Sequence, residues 1–286
     1  MRLHAIFPQT EIGSDPAVVA RFFREIEALG FDGVVAYDHV LGAEPGRPGW
    51  SGPYTIDSQF HEVMVLFGFA AAVTTRLELS TGVLILPQRQ TALVAKQAAA
   101  IDVLSRGRLR LGVGVGWNWV EFDALGTSFK DRGRRIEEQI ALLRRLWTEP
   151  SVTFEGTWHH IDRAGLNPPP VRRPIPLWMG ADSEPAIRRV ARLADGFFAH
   201  FLATDEGAAG AAQFWEWVKQ AGRDPAQVGL ECRLGARMSD DELSRAAETF
   251  RAMGATDLEF NTMRGGLRDS DEHLAAFRRF LTRLKG

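Results

Sequence analysis

Cysteine and lysine are nearly missing from this chain. The single cysteine, Cys232, rules out an internal disulfide framework and suits a reducing compartment. Lysine occurs only at Lys96, Lys130, Lys219 and Lys285, so the basic side chains are almost all arginine and a Schiff-base mechanism has few candidates. An excess of one charge is missing as well. Thirty-four basic residues against 36 acidic ones leave a net charge of −2, without the electrostatic footprint of a nucleic-acid binder. Long apolar runs are also absent, since the most apolar stretch, Val63 to Val73, is too short to span a bilayer. The opening MRLHAIFPQTEIG has no long apolar segment before its proline and acid and makes a poor signal peptide. These absences lead us to expect a cytoplasmic protein with a small-molecule substrate and with no nucleic-acid or membrane partner.

What is present is an ordinary globular composition, 45% apolar and 24% charged over 286 residues, long enough for one large domain or two average ones. Apolar bursts alternate with amphipathic stretches throughout. The strand candidates are Leu3–Phe7, Gly33–Asp38, Leu77–Leu84, Leu109–Val115, Pro176–Met179, Gly196–His200, Gly229–Leu234 and Thr256–Phe260. Each is followed by a helical pattern. The first helix opens at Asp15-Pro16, an N-cap followed by a proline at the first helical position, and stops at Gly30. An irregular stretch, Glu149–Arg173, interrupts the alternation and carries a candidate hairpin around Glu155-Gly156. Eight βα units without a visible linker favour one (β/α)8 TIM barrel domain over residues 1–286, with an irregular insertion before the fifth strand. The rival is a doubly wound open sheet. Its support is Gly112, Gly114 and Gly116, which are spaced GxGxG rather than GxGxxG and fall in the fourth unit, whereas a dinucleotide fingerprint usually opens the first.

A barrel places its chemistry at the carboxyl ends of the strands. Those positions are poor in metal ligands: Leu3-His4-Ala5 offers one histidine, and the adjacent His159 and His160 are badly placed to chelate one ion, so no metal is expected. Asp38 and Glu121 are the only tempting pair of acids for hydrolysis. The remaining strand-end residues are glycines, aromatics and apolar side chains around one good acid–base candidate. That lining suits a flat redox-active ring, which carries the hard chemistry while the protein positions it.

The run from Asp102 to Trp117, DVLSRGRLRLGVGVGW, followed by Glu121-Phe122, resembles the signature of the luciferase-like monooxygenase superfamily. Ala28–Gly33, Asp38-His39 and Ala194–Phe197 match as well. The pattern is most similar to the branch that uses the deazaflavin coenzyme F420, and it extends over nearly the whole chain. The resemblance implies an oxidoreductase that passes a hydride between coenzyme F420 and a small organic substrate. The alternative is an FMN-dependent two-component monooxygenase using reduced flavin and oxygen. The resemblance also implies a homodimer and, in the two-component case, a separate flavin or F420 reductase.

Residue by residue, the likeness makes His39 the proton donor or acceptor, with Asp38 orienting it or contacting the cofactor. On the residues alone, this pair could equally cap the next loop. Gly82 and Val83 stand where relatives carry a non-proline cis peptide behind the ring, a place a simple strand-end turn would also fill. Gly114 and Gly116 let backbone approach the cofactor, and Met179, Gly180, Ala181, Asp182 and Ser183 would bind its phosphate region ahead of a helix. Asp182 and Glu184 place negative charge beside that anion, which requires their carboxylates to point away or Arg264 to compensate. Phe7, Gln9, Trp50, Trp117, Glu121 and Phe201 are the expected substrate pocket. The Gly/Pro-containing loop Leu41–Ile56, with Trp50 and Tyr54, is either a mobile lid or a static excursion.

Overall fold

A computed structural model describes residues 1–285. Eight parallel strands close on themselves: β1 (Arg2–Ile6), β2 (Gly33–Ala36), β3 (Glu78–Thr81), β5 (Leu109–Gly114), β8 (Leu177–Gly180), β9 (Gly196–Phe198), β10 (Gly229–Gly235) and β11 (Asp257–Asn261). Closure comes from β1 pairing with β11, Leu3 opposite Leu258, and from β3 pairing with β5, Leu79 opposite Leu109. A two-residue strand, β4 (Leu84–Ile85), continues beside β5 after the chain breaks at Gly82-Val83, a cis peptide. The single third strand expected from sequence is therefore two pieces.

The outer layer holds α1 (Pro16–Leu29), α2 (Val63–Val73), α3 (Thr91–Leu104), α5 (Arg132–Thr148), α6 (Glu184–Leu193), α7 (Asp205–Gln220), α8 (Asp240–Ala252) and α9 (Ser270–Lys285). A short helix that the sequence reading did not anticipate, α4 (Trp119–Ala124), follows β5. The reasons for these helices are local. Asp15 caps α1 by accepting from the Ala17 amide at 2.8 Å, Pro16 sets the first φ, and Gly30 at φ 94° ends it. The same helix presents Val19, Phe22, Phe23 and Ile26 to the barrel wall at helical spacing. The irregular insertion is an antiparallel hairpin, β6 (Val152–Glu155) and β7 (His160–Ala164). Glu138 on α5 ties its turn down, accepting from the Thr157 and Trp158 amides and pairing with His159 at 2.7 Å. Among the described residues no helix is long and apolar enough to cross a membrane.

Two apolar regions result from the two-residue period of the strands. Residues such as Ala5, Phe7, Val34, Leu111 and Met179 point outward and pack under the helices. Ile6, Val35, Trp178 and Phe198 point inward and fill the middle of the barrel. Below this inner layer the barrel is closed by charge. Arg110 is completely buried, 2.7 Å from Glu231, 3.2 Å from Asp257 and 3.2 Å from Glu78, with its guanidinium over the Trp178 ring at 4.2 Å. His4 Nδ1 lies 2.6 Å from Glu231. His4, Glu231 and Asp257 have the donor types of a cation site, but the guanidinium already supplies the positive charge in contact with both carboxylates. The cluster is therefore an ion-paired floor.

Gly112 shows how tightly the inner wall is drawn. A Cβ there would stand 2.0 Å from the Thr81 carbonyl oxygen and 2.5 Å from the Phe198 ring. Gly112→Ala is therefore expected to destabilise the fold by ~1–3 kcal/mol through overpacking. Thermal unfolding measures this against Gly68→Ala on α2, where an added methyl meets nothing within 4 Å and helix propensity improves. Equal melting temperatures for wild type and Gly112→Ala would contradict the packing described.

Candidate active site

At the carboxyl end of the barrel opens a cavity of about 570 Å³, within the size range of cofactor and small-ligand sites. Eleven of the residues expected from sequence line it: Asp38, His39, Gly82, Val83, Gly114, Gly116, Trp117, Gly180, Ala181, Asp182 and Ser183. One wall is nearly bare backbone. Val83 faces Gly114 and Gly180; a Cβ on Gly114 would come within 2.6 Å of Val83 Cγ2. Only glycine leaves this wall flat enough for a ring to lie against it.

Beside it, beyond the end of the neighbouring strand β2, stands His39. Its ring is enclosed by Phe60, Tyr54 and Trp117, with centroids 4.8, 4.9 and 5.4 Å away. Its Nδ1 lies 3.2 Å from Glu121 Oε1. The same carboxylate accepts from the Val40 amide at 2.7 Å, the Leu41 amide at 3.2 Å and Gln88 Nε2 at 3.2 Å. Burial works to raise the Glu121 pKa, but the hydrogen bonds from His39, Leu41 and Gln88 hold it below the ordinary carboxylate range. Glu121 is thus a fixed anion. It sets the imidazole so that Nδ1–H donates to it, leaving Nε2 without a hydrogen-bond partner among the described residues. A carboxylate committed to so many donors cannot act as the general acid of a hydrolase, so the structure weakens the Asp38–Glu121 reading.

The role expected of Asp38 changes accordingly. Its carboxylate is turned to Arg89 Nη2 at 2.6 Å and to the Ile85 amide at 3.0 Å, and it makes no hydrogen bond to His39 among the described residues. Burial dominates its titration and pushes its pKa up in spite of Arg89. Asp38 fastens the end of β2 to β4 and the segment after it, and Glu121 is the residue that orients His39.

Other expected pocket residues lie elsewhere. Phe7 is outward-facing, stacks on Phe23 and meets Phe22 edge-on beneath α1. Gln9 is buried and donates to the Tyr37 carbonyl. Met179 points under the helices, and Phe201 packs on Phe197 against the outer layer. Trp50 is not among the cavity-lining residues; its ring lies 5.5 Å from that of Trp117. The loop Leu41–Ile56 folds back on itself, Ala43 bridging to Thr55 and the Ile56 amide bonding to the Ala43 carbonyl at 3.1 Å.

Sequence reasoning missed Tyr37, Phe129, Arg132, Phe198, His200 and Arg233, all of which line the cavity. At the α6 end, Ser183 is the N-cap but its side chain makes no capping bond; Pro185 carries no N–H, so the Glu184 and Ala186 amides are the ones left open to an anion. Arg132 is the cation at this end, held by the Gly116 and Phe129 carbonyls and lying 3.7 Å from the Phe129 ring centroid. The two acids there find partners in place rather than in Arg264. Asp182 pairs with His200 at 2.5 Å, a bond that also lowers its pKa, and Glu184 pairs with Arg188 at 2.8 Å. Arg264 sits instead over the Tyr54 ring.

Residues 3–283 match the family model described as luciferase-like monooxygenase. Among curated proteins, an uncharacterised protein of Mycobacterium tuberculosis is 36% identical over 200 residues, which is 67% of this chain and 68% of that one. An FMNH2-dependent dimethylsulfone monooxygenase of Pseudomonas fluorescens is 36% identical over 145 residues, 49% of this chain and 39% of that one. An F420-dependent glucose-6-phosphate dehydrogenase of Kineococcus radiotolerans is 30% identical over 186 residues, covering 64% of this chain and 52% of the relative. Among solved structures, a monooxygenase from Streptomyces bottropensis superposes with a TM-score of 0.83 at 19% identity, over 100% of this chain and 99% of that one. An F420-dependent secondary alcohol dehydrogenase, solved with an F420-acetone adduct, superposes at 0.79 and 17% identity over the same shares. At these identities the two structures show the shared fold.

Proposed function

The chain belongs to the luciferase-like monooxygenase family, and from that premise we propose that this oxidoreductase uses coenzyme F420 to move a hydride to or from a small organic substrate. One observation carries the reading. His39 is held on one nitrogen by a buried carboxylate, is free on the other, and shares a cavity with a wall of bare glycine backbone. The residues fit a flat coenzyme. Gly82, Val83, Gly114 and Gly180 would bed its ring, while Arg132 and the first-turn amides after Ser183 would hold its phosphate.

When bound, the coenzyme supplies a two-electron hydride carrier. The chain's own part is the proton. Hydride transfer at a carbonyl or alcohol carbon needs a proton gained or lost at the oxygen, and His39 Nε2 is the group positioned to exchange it. Glu121 fixes the tautomer and stabilises the imidazolium whenever it forms. Phe60, Tyr54 and Trp117 shield the imidazole from bulk water, which strengthens that electrostatic support.

The second reading is an FMN-dependent monooxygenase using reduced flavin and oxygen, favoured by the dimethylsulfone monooxygenase relative. Titrating the protein with F420 and with FMN, followed by fluorescence quenching, separates the two. Saturable F420 binding with weaker FMN binding is the expected result. Tight FMN binding without a response to F420 transfers the assignment to the second reading. Two proposals on partners accompany this one: a homodimer, for which exposed Val65 and Phe69 on α2 offer an apolar face, and a separate reductase in the two-component case.

A further inference from the structure

The cavity has a second polar end that the proposed coenzyme contacts leave unused. Arg233 enters it from β10, three strands around the barrel from the Gly116 carbonyl that anchors Arg132. Its Nε donates to Glu259. Its two terminal nitrogens make no hydrogen bond among the described residues, and a third of the side chain stays open. The Tyr37 ring, just past β2, has its centroid 5.5 Å from the guanidinium carbon. The Tyr37 hydroxyl is buried and has no partner. Burial pushes that phenol upward, so it remains a donor.

A buried donor without an acceptor is costly unless something fills the place. The guanidinium over the Tyr37 ring, 5.5 Å from the centroid, has two terminal nitrogens that are equally unspent. Nearby negative charge is already committed: Asp182 is bound to His200, and Glu259 to the Nε edge.

We propose that Arg233 and Tyr37 form a substrate subsite for an oxyanion, so that the small molecule oxidised or reduced at His39 carries a carboxylate, sulfonate or phosphate group. The subsite rests on the oxidoreductase reading for its purpose but not for its existence. Guanidinium η nitrogens match a planar or tetrahedral oxyanion in a two-pronged contact, and the phenol O–H adds a third donor. Such an anchor turns the uncharged end of the substrate toward the mouth, where His39 stands.

The test is calorimetric titration with butyrate, propanesulfonate and propyl phosphate, beside butan-1-ol and butylamine as neutral and cationic counterparts. It is run on the protein both with and without the coenzyme identified by the F420 and FMN titrations. At least one anion is expected to bind tenfold or more tightly than the alcohol and the amine, and comparison of the three names the headgroup. Tyr37→Phe removes only an unpartnered hydroxyl and is expected to fold normally and weaken the anion severalfold. Arg233→Met, combined with Glu259→Gln so that no buried charge is stranded, is expected to abolish the preference. Coenzyme affinity in both variants should stay at the wild-type value, because Arg132 and the α6 end are untouched. Equal affinity for anion and alcohol, or an anion preference that survives both variants, overturns the subsite. Failure of either coenzyme to bind would instead overturn the oxidoreductase reading and leave the anion titration as an independent result.

Discussion

His39→Gln is expected to lower turnover by ~10²–10⁴-fold, the range associated with loss of a positioned general acid or base, while the coenzyme binds as it does in the wild type. The split follows from geometry. His39 contributes one face of the cavity, whereas the proposed bed of the coenzyme is the glycine wall and the α6 end. Glu121→Gln acts through His39 and through the loop that follows it, because Glu121 also accepts from the Val40 and Leu41 amides. It should therefore reduce kcat and raise KM together, by less than His39→Gln reduces kcat. Steady-state kinetics on both variants, with coenzyme titrations alongside, checks the pair. Full turnover in His39→Gln would remove the imidazole from the mechanism.

The largest effect on stability is expected from Arg110→Met. Replacing the guanidinium leaves Glu231 and Asp257 buried without their cation, and breaking a buried ion pair from one side costs ~3–5 kcal/mol. In a chain of this size that lowers Tm by roughly 5–8 °C. The pH dependence distinguishes this from a mere packing defect. In the wild type, burial alone would raise the Glu231 pKa, but Arg110 and His4 bring it down to about 2. A carboxyl depressed by folding stabilises the native state above its unfolded pKa, and that contribution fades as pH falls toward about 2. In Arg110→Met the folded pKa rises instead. The variant should then gain stability between neutral and mildly acidic pH, where the wild type is flat or losing it. Melting curves at several pH values measure both trends, and parallel curves would show that the guanidinium is not what holds Glu231 ionised.

How much of this could be read from residues alone varies with the kind of feature. The alternation of apolar bursts and amphipathic helices is local and periodic, so the barrel and most element positions were legible. The break in the third strand was not: Leu77–Leu84 reads as one apolar run, and only pairing with β5 shows that it divides at Gly82-Val83. The errors at the site were errors of phase. Phe7, Met179 and Phe201 each lie one step from an inward position. His4 and Ile6, Trp178 and Gly180, Phe198 and His200 carry the inward phase, as do Tyr37 and Arg233 on their own strands. Applying the two-residue period to every strand would have exchanged Phe201 for His200 and brought in Tyr37 and Arg233. Other features had no local signal. The grip of Arg89 on Asp38 joins residues 51 apart, and that of Glu121 on His39 joins residues 82 apart. Both depend on how two loops meet above the closed barrel.

The ion-paired floor also governs traffic. With Arg110 and its carboxylates sealing one end under Trp178 and Phe198, the chamber is a blind well, and whatever enters must leave by the same door. Two guests that share one door cannot pass each other. The deeper is then expected to arrive first and depart last, past a lining that includes Trp117 and Tyr54.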